Sequence, residues 1–140
     1  PSVTTISNAM DVGAPSNFAR MSQLFGDALP AFREVLTGYA FSDEETRAAI
    51  RKVHARHGYV MDPHGAVAFL GLHAYMQDKR ELNGIFLETA HPAKFRDIVE
   101  EVLQKAVPVP GRLAECLEKP KSSIRIKPGL DALREILLGH

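Results

Sequence analysis

The stretch Leu87-Glu88-Thr89-Ala90-His91-Pro92-Ala93-Lys94-Phe95 decides how the rest of the chain is read. The apolar run that leads into it, Gly84-Ile85-Phe86-Leu87, has the composition of a short strand, and it gives way at once to a hydroxyl, an imidazole and a proline. Pro92 suits the first position of a helix, because its φ is already helical and its missing N–H would have had no partner there. Phe95, Ile98, Val99, Val102 and Leu103 follow along one helical stripe. A strand that ends in polar residues and turns directly into a helix is where open α/β folds place ligands, at the carboxyl ends of their strands.

Outward from this junction the signals are mostly helical. Ser16 is the expected N-cap of a helix through about Phe25, and Asp27 that of the next, whose Leu29, Phe32 and Leu36 share a face before Gly38. Ser42-Asp43-Glu44-Glu45 has the pattern of a capping box, with a hydroxyl at the cap and a carboxylate three residues on. The helix it opens should run to His57 and stop at Gly58. Pro63 starts a further helix, roughly 63–79, which is apolar nearly all round through 66–72 and is therefore expected at the centre of a domain. Beyond Pro108 and Pro110, Arg112 to Lys119 suggests a short helix within a connector of about 107–128. Leu130, Leu133 and Leu137 mark a final helix at about 129–139.

Against six or seven helices stand two credible strands, 2–6 and 84–88, with a third around 124–126. Two strands make a poor independent sheet, and the all-apolar helix needs more cover than they provide. The expected fold class is thus α/β, helix-rich, with two or three strands that belong to a larger sheet. The chain opens on Pro1 rather than methionine, which agrees with its being the back part of a longer polypeptide.

Composition limits the function classes. With 140 residues, 45% hydrophobic and 24% charged, the chain is an ordinary globular domain in size and make-up. Seventeen basic and seventeen acidic residues cancel, so no global field draws it to nucleic acid or to an anionic membrane. The longest apolar run, 65–72, is far too short to span a bilayer. Cys116 stands alone, which excludes an intrachain disulfide; with no secretion signal, the expected location is a reducing cytoplasm.

Several residues could carry chemistry. Thr89 closes the strand, either as a β-prone terminus or as a hydroxyl aimed into a crevice. Such a neutral hydroxyl could pair with a ligand nitrogen without forcing its protonation. His91 is equally a helix cap and a polar lining residue. Lys94, in the first turn of a helix, is better read as solvated. Ser16, Asn17 and Arg20 lie at a helix start behind a glycine-proline loop, a combination suited to an anion, though an ordinary cap explains it too. Asp11 is a turn residue or a contact at the same crevice. Asp62 and His64 open the central helix, where capping is the simple reading. His54 and His57 lack a third ligand near in sequence, so no metal site is expected. No Ser-His-Asp order, CxxC pair or P-loop is present.

Taken in order, Asn8-Ala9-Met10-Asp11-Val12-Gly13, Pro15-Ser16-Asn17-Phe18-x-Arg20, Asp62-Pro63-His64-Gly65-Ala66-Val67 and Thr89-Ala90-His91-Pro92-Ala93-Lys94-Phe95 resemble the carboxy-terminal half of the threonine synthase family. Ala14 stands where many members carry Asn. The resemblance covers nearly the whole chain and weakens after about residue 107. It implies the carboxy-terminal part of a fold-type II pyridoxal-phosphate enzyme. The complete enzyme would convert O-phosphohomoserine and water into threonine and phosphate. It further implies that Thr89 faces the pyridine nitrogen, that Asp62 and His64 lie near the cofactor, and that Ser16, Asn17, Arg20, Asp11 and His91 bind or enclose the substrate. The aldimine-forming lysine and the glycine-rich phosphate loop of the family lie earlier in the chain, and no segment here offers them. This chain alone is therefore expected to be inactive, to have the remainder of the same polypeptide as its partner, and to self-associate through uncovered apolar surface. Two other readings stand beside this one: a non-catalytic helical binding or scaffold module, and a small independent enzyme using His64, His91 and Asp62 as acid–base groups.

Overall fold

A computed structural model describes residues 3–8, 13–26, 29–79 and 81–139, with Leu29 described by its backbone alone. The helices are α1 (Phe18–Phe25), α2 (Leu29–Val35), α3 (Asp43–His57), α4 (Pro63–Met76), α5 (Arg96–Leu103), α6 (Gly111–Leu117) and α7 (Leu130–Leu138), with a 3-10 turn at Pro92–Phe95 that leads into α5. The chain divides into two compact units, Pro1–Pro108 and Val109–His140.

The core of the first unit lies between α3, α4 and α5. Ala49, Ile50 and Val53 of α3, Met61 before α4, Ala66 within it and Val102 of α5 are buried together, and Phe69, Leu70, Phe86, Ile98 and Leu103 pack around them. Sequence order builds this directly. The box at Ser42 forms as expected: Glu45 N–H donates to Ser42 Oγ at 3.3 Å, and Ser42 N–H donates back to Glu45 Oε2 at 2.7 Å. α3 then turns its Ala49, Ile50 and Val53 stripe inward and ends at Gly58, whose φ of 67° is the left-handed cap that glycine accepts without strain. After α5, the reversal at Gln104 is tied by Glu100, whose Oε1 accepts from Arg96 Nε at 2.8 Å and from Val107 N–H at 2.9 Å.

The strands do not form. Among the described residues there is no strand at all; 84–88 and 124–126 have neither helix nor ladder, and neither do residues 3–6, the described part of the expected 2–6 strand. A strand exists only through hydrogen-bonded neighbours, and β-prone composition cannot supply them. Ile6 N–H goes instead to Asp43 Oδ1 at 3.1 Å, at the start of α3. The described fold is therefore all-helical, in contrast to the α/β expectation.

Two helix expectations are also corrected. α1 starts at Phe18 with Asn17 as its N-cap and no side-chain cap bond, so Ser16 lies in the preceding turn; the other proposed cap, Asp27, falls outside the described residues. α4 ends at Met76 rather than 79, and only Pro63, Gly65 and Ala66 of it are buried. Its remaining apolar residues are half-buried or exposed, because a helix apolar on every face needs neighbours on several sides. In the second unit, α7 closes at Gly139 (φ 70°), while Leu130, Leu133, Ile136, Leu137 and Leu138 are exposed.

Candidate functional site

Asp62 and Pro63 start α4 in the way their chemistry dictates. Asp62 is the N-cap: its backbone is extended, and its Oδ1 accepts the Gly65 N–H at 2.7 Å, while Pro63 takes the first helical position. Asp62 is fully buried, and its second oxygen, Oδ2, stands 3.2 Å from His64 Nδ1. The imidazole of His64 in turn tilts onto the Phe95 ring, with centroids 4.9 Å apart. The two motifs that stand apart in sequence, 62–65 and 87–95, thus meet in space.

A second contact joins them. Gly65 has no side chain, and the Glu88 carboxyl occupies the space a Cβ would take. That carboxyl also lies beside the side chain of Asp62, while its Oε1 is buried with no hydrogen-bond partner. Burial first, and the neighbouring Asp62 charge second, push Glu88 up to about 7. Tyr59, on the turn before α4, has its phenol pushed up by burial and then by the negative charges of Glu88 and Asp62.

Residues 85–91 alternate in exposure: Ile85, Leu87, Thr89 and His91 are exposed, and Phe86, Glu88 and Ala90 are half-buried. This is the period-two pattern of a strand with one covered face, even without ladder bonds. Phe86 meets Phe69 of α4 edge-on at 5.8 Å on the covered face. Thr89 is therefore turned away from α4 while its neighbour Glu88 is turned into it.

His91 is the N-cap of the 3-10 turn, its Nδ1 accepting the Ala93 N–H at 3.1 Å. Of the two readings the residue allowed, capping is realised, and the ring remains exposed. Ser16, Asn17 and Arg20 are all exposed; their segment is anchored through Phe18 and Phe25, both in ring contact with Phe32 of α2. Asp11 lies outside the described residues. Lys94 is exposed in the 3-10 turn. Among the described residues no group of three or more His, Cys, Asp or Glu could hold a metal ion, and no helix is long and apolar enough to cross a membrane.

Sequence reasoning passed over Glu88. The available signal was a lone carboxylate in an otherwise apolar run, at the parity that faces the helix rather than solvent.

The family described as threonine synthase, C-terminal, matches residues 65–137. The chain belongs to the threonine synthase family and corresponds to its carboxy-terminal region. It is 39% identical to threonine synthase of Buchnera aphidicola subsp. Schizaphis graminum over 136 residues, which is 97% of this chain and 31% of that protein. It is 37% identical to threonine synthase of Escherichia coli (strain K12), again over 97% of this chain and 31% of the relative. The chain thus spans about a third of the length of these relatives. A crystal structure of threonine synthase from Escherichia coli superposes with a TM-score of 0.73 at 36% identity, over 99% of this chain and 32% of that one. A structure of PLP-bound threonine synthase from Brucella melitensis gives a TM-score of 0.58 at 24% identity, over 98% of this chain and 34% of that one, a likeness of fold alone.

Proposed function

We propose that this chain forms the carboxy-terminal portion of a threonine synthase and supplies one wall of its pyridoxal-phosphate site. The complete enzyme takes O-phosphohomoserine and water to threonine and phosphate. The observation that carries the reading is the orientation at 88–89: a neutral hydroxyl, Thr89, faces the open side, and the carboxylic side chain beside it is turned into α4. That donor set fits a pyridine ring whose nitrogen accepts a hydrogen bond and stays unprotonated. When bound, the cofactor supplies the electron sink, and the chain supplies orientation.

Each of the other residues has a part in this proposal. Asp62, buried with both oxygens engaged, acts from behind by fixing the start of α4 and the ring of His64. His91 accepts the Ala93 N–H at Nδ1, so its neutral imidazole carries hydrogen on Nε2, a donor free to meet a substrate oxygen. Ser16, Asn17 and Arg20, exposed at the start of α1, offer a hydroxyl, an amide and a guanidinium to the substrate phosphate, with Asp11 as a further contact. The uncovered side of 84–89, where Ile85 is 86% and Leu87 71% exposed, is the surface that the remainder of the polypeptide would cover. In this reading the enzyme is a cytoplasmic one.

A non-catalytic helical module is the second reading, favoured by the lack of strand pairing among the described residues. The two readings separate in a single experiment. The chain is fused behind the amino-terminal two-thirds of the Escherichia coli relative, and phosphate release from O-phosphohomoserine is followed with PLP present. Release by the fusion, with no borohydride-trappable absorbance band from the chain alone, is the expected result. A correctly folded fusion without activity favours the helical module, and a strong trappable band from the chain alone sinks the proposal.

A further inference from the structure

Segment 84–91 is held to the amino terminus of α4 by a contact between two acidic side chains, an arrangement that normally repels. Asp62 is wholly buried and already acts as acceptor toward the Gly65 N–H and His64 Nδ1. The Glu88 carboxyl lies across the bare Cα of Gly65 and beside the Asp62 side chain. Its Oε1 is buried without a partner, a position that a carbonyl oxygen tolerates far better than a charged one. Among the described residues Glu88 enters no ion pair.

We propose that Glu88 and Asp62 share one proton, carried on Glu88 and donated to Asp62, and that this carboxyl clasp positions residues 87–91 against the amino terminus of α4. Glu88 is then a positioning residue for Thr89, and that consequence alone rests on the reading of Thr89 as the ring contact. The clasp itself is a property of this chain. Two adjacent carboxyl groups cannot both ionise cheaply in a partly desolvated site, so the pair holds a proton at pH values where exposed carboxylates have lost theirs. The ionisable groups facing Glu88 are Asp62 and Tyr59, both on the turn into α4, with His64 of α4 behind Asp62. Tyr59 adds no positive charge, and His64 reinforces Asp62 as the acceptor. A side chain at position 65 would displace the Glu88 carboxyl, so Gly65 leaves the room that the clasp occupies.

The sign of the pH dependence follows from the direction of the shift. Glu88 is raised from its ordinary 4.5 to about 7 in the folded chain. The folded state therefore holds the extra proton between those values, and the clasp's contribution is full below the lower one and lost as pH rises through the upper one.

The test is thermal unfolding of this chain at pH 5 and pH 8, with Glu88→Gln and Glu88→Ala beside it. Gln keeps an N–H donor toward Asp62 whatever the pH and cannot ionise. The wild-type Tm should fall, relative to Glu88→Gln, by on the order of 5 °C between the two pH values. Glu88→Ala should be lower at pH 5 and insensitive to this window. A Glu88→Gln profile that follows the wild type overturns the clasp. Carbon-13 carboxyl titration of the wild-type chain decides the matter even if a variant does not fold. One carboxyl with a midpoint near 7, moved toward the ordinary range by Asp62→Asn, supports the shared proton, and titration of every carboxyl in the ordinary range overturns it. No cofactor enters either measurement, so failure here leaves the Thr89 reading standing, while failure of the Thr89 reading leaves these results unchanged.

Discussion

The carboxyl group of Glu88 stands where a Cβ on Gly65 would be. A helix-start glycine and a carboxylate from the 84–88 segment are therefore one packing unit, and whichever of them changes, the other must respond. That relationship fixes how closely the 87–95 segment approaches α4.

Substituting Gly65→Ala should displace the Glu88 carboxyl, the flexible far end of its side chain, and so realise only part of the roughly 1 kcal/mol that Ala gains over Gly in a helix. In a Glu88→Ala background the obstacle is gone, and the same substitution should realise the full gain. Urea unfolding of the double-mutant cycle measures the coupling. Additive effects of the two changes would show that the two residues do not share this space.

Ser42→Ala removes the acceptor for the Glu45 N–H and should lower stability by about 1 kcal/mol, the usual value of an N-cap. Ser42→Thr should restore most of it, since a threonine hydroxyl can fill the same role. Equal loss in both variants, measured by chemical denaturation, would mean that the hydroxyl is not what starts α3.

The acid limb of stability should depend on Glu45 and Glu100. The Ser42 backbone and then side-chain hydrogen bonds hold Glu45 below its ordinary range; the Val107 N–H and then Arg96 do the same for Glu100. A lowered folded value means stability present above the ordinary carboxylate pKa and lost as pH falls through the folded one. Glu100→Gln should flatten part of that acid-side loss without altering the slope between pH 5 and 8, where Glu88 acts in the opposite sense. An unchanged acid limb in Glu100→Gln counts against this assignment.

Within the fused, complete enzyme, Thr89→Val should weaken PLP binding by about 3–10-fold, the usual worth of a lost neutral hydrogen bond, and Thr89→Ser should bind nearly as the wild type. Fluorescence titration with PLP reads this. Thr89 is exposed in the chain by itself, so its own Tm should hardly move in either variant. Full PLP affinity in Thr89→Val would remove Thr89 from the ring.

Ile85 and Leu87 give the isolated chain an adhesive edge, being 86% and 71% exposed on one side of an unpaired segment. Light scattering should detect concentration-dependent association, reduced in the Ile85→Lys, Leu87→Lys double variant. A clean wild-type monomer at high concentration would contradict it.

Local chemistry was legible in the sequence and long-range chemistry was not. The Ser42–Glu45 box, the Asp62 cap, Pro63 at the first helical position and the Gly58 stop involve partners a few residues apart, so spacing alone locates them. Segment 84–88 reads as a strand of a larger sheet, yet no ladder forms among the described residues, because β-prone composition describes a segment's preference, whereas a ladder depends on a neighbour. The Ser16 cap failed for a smaller reason: a serine and an asparagine in succession both suit the role, and the turn geometry chose Asn17.

By itself the sequence determined that the chain is mostly helical, the Ser42 and Asp62 caps and the family to which the chain belongs, since these follow from short-range spacing and from residue order. Tertiary structure alone decided that Glu88 turns into α4 and Thr89 away from it, that His64 rests on Phe95, and that Asp62 is wholly buried. Burial and proximity between distant segments set which carboxyl can keep its proton, and neither is written in the spacing of neighbouring residues.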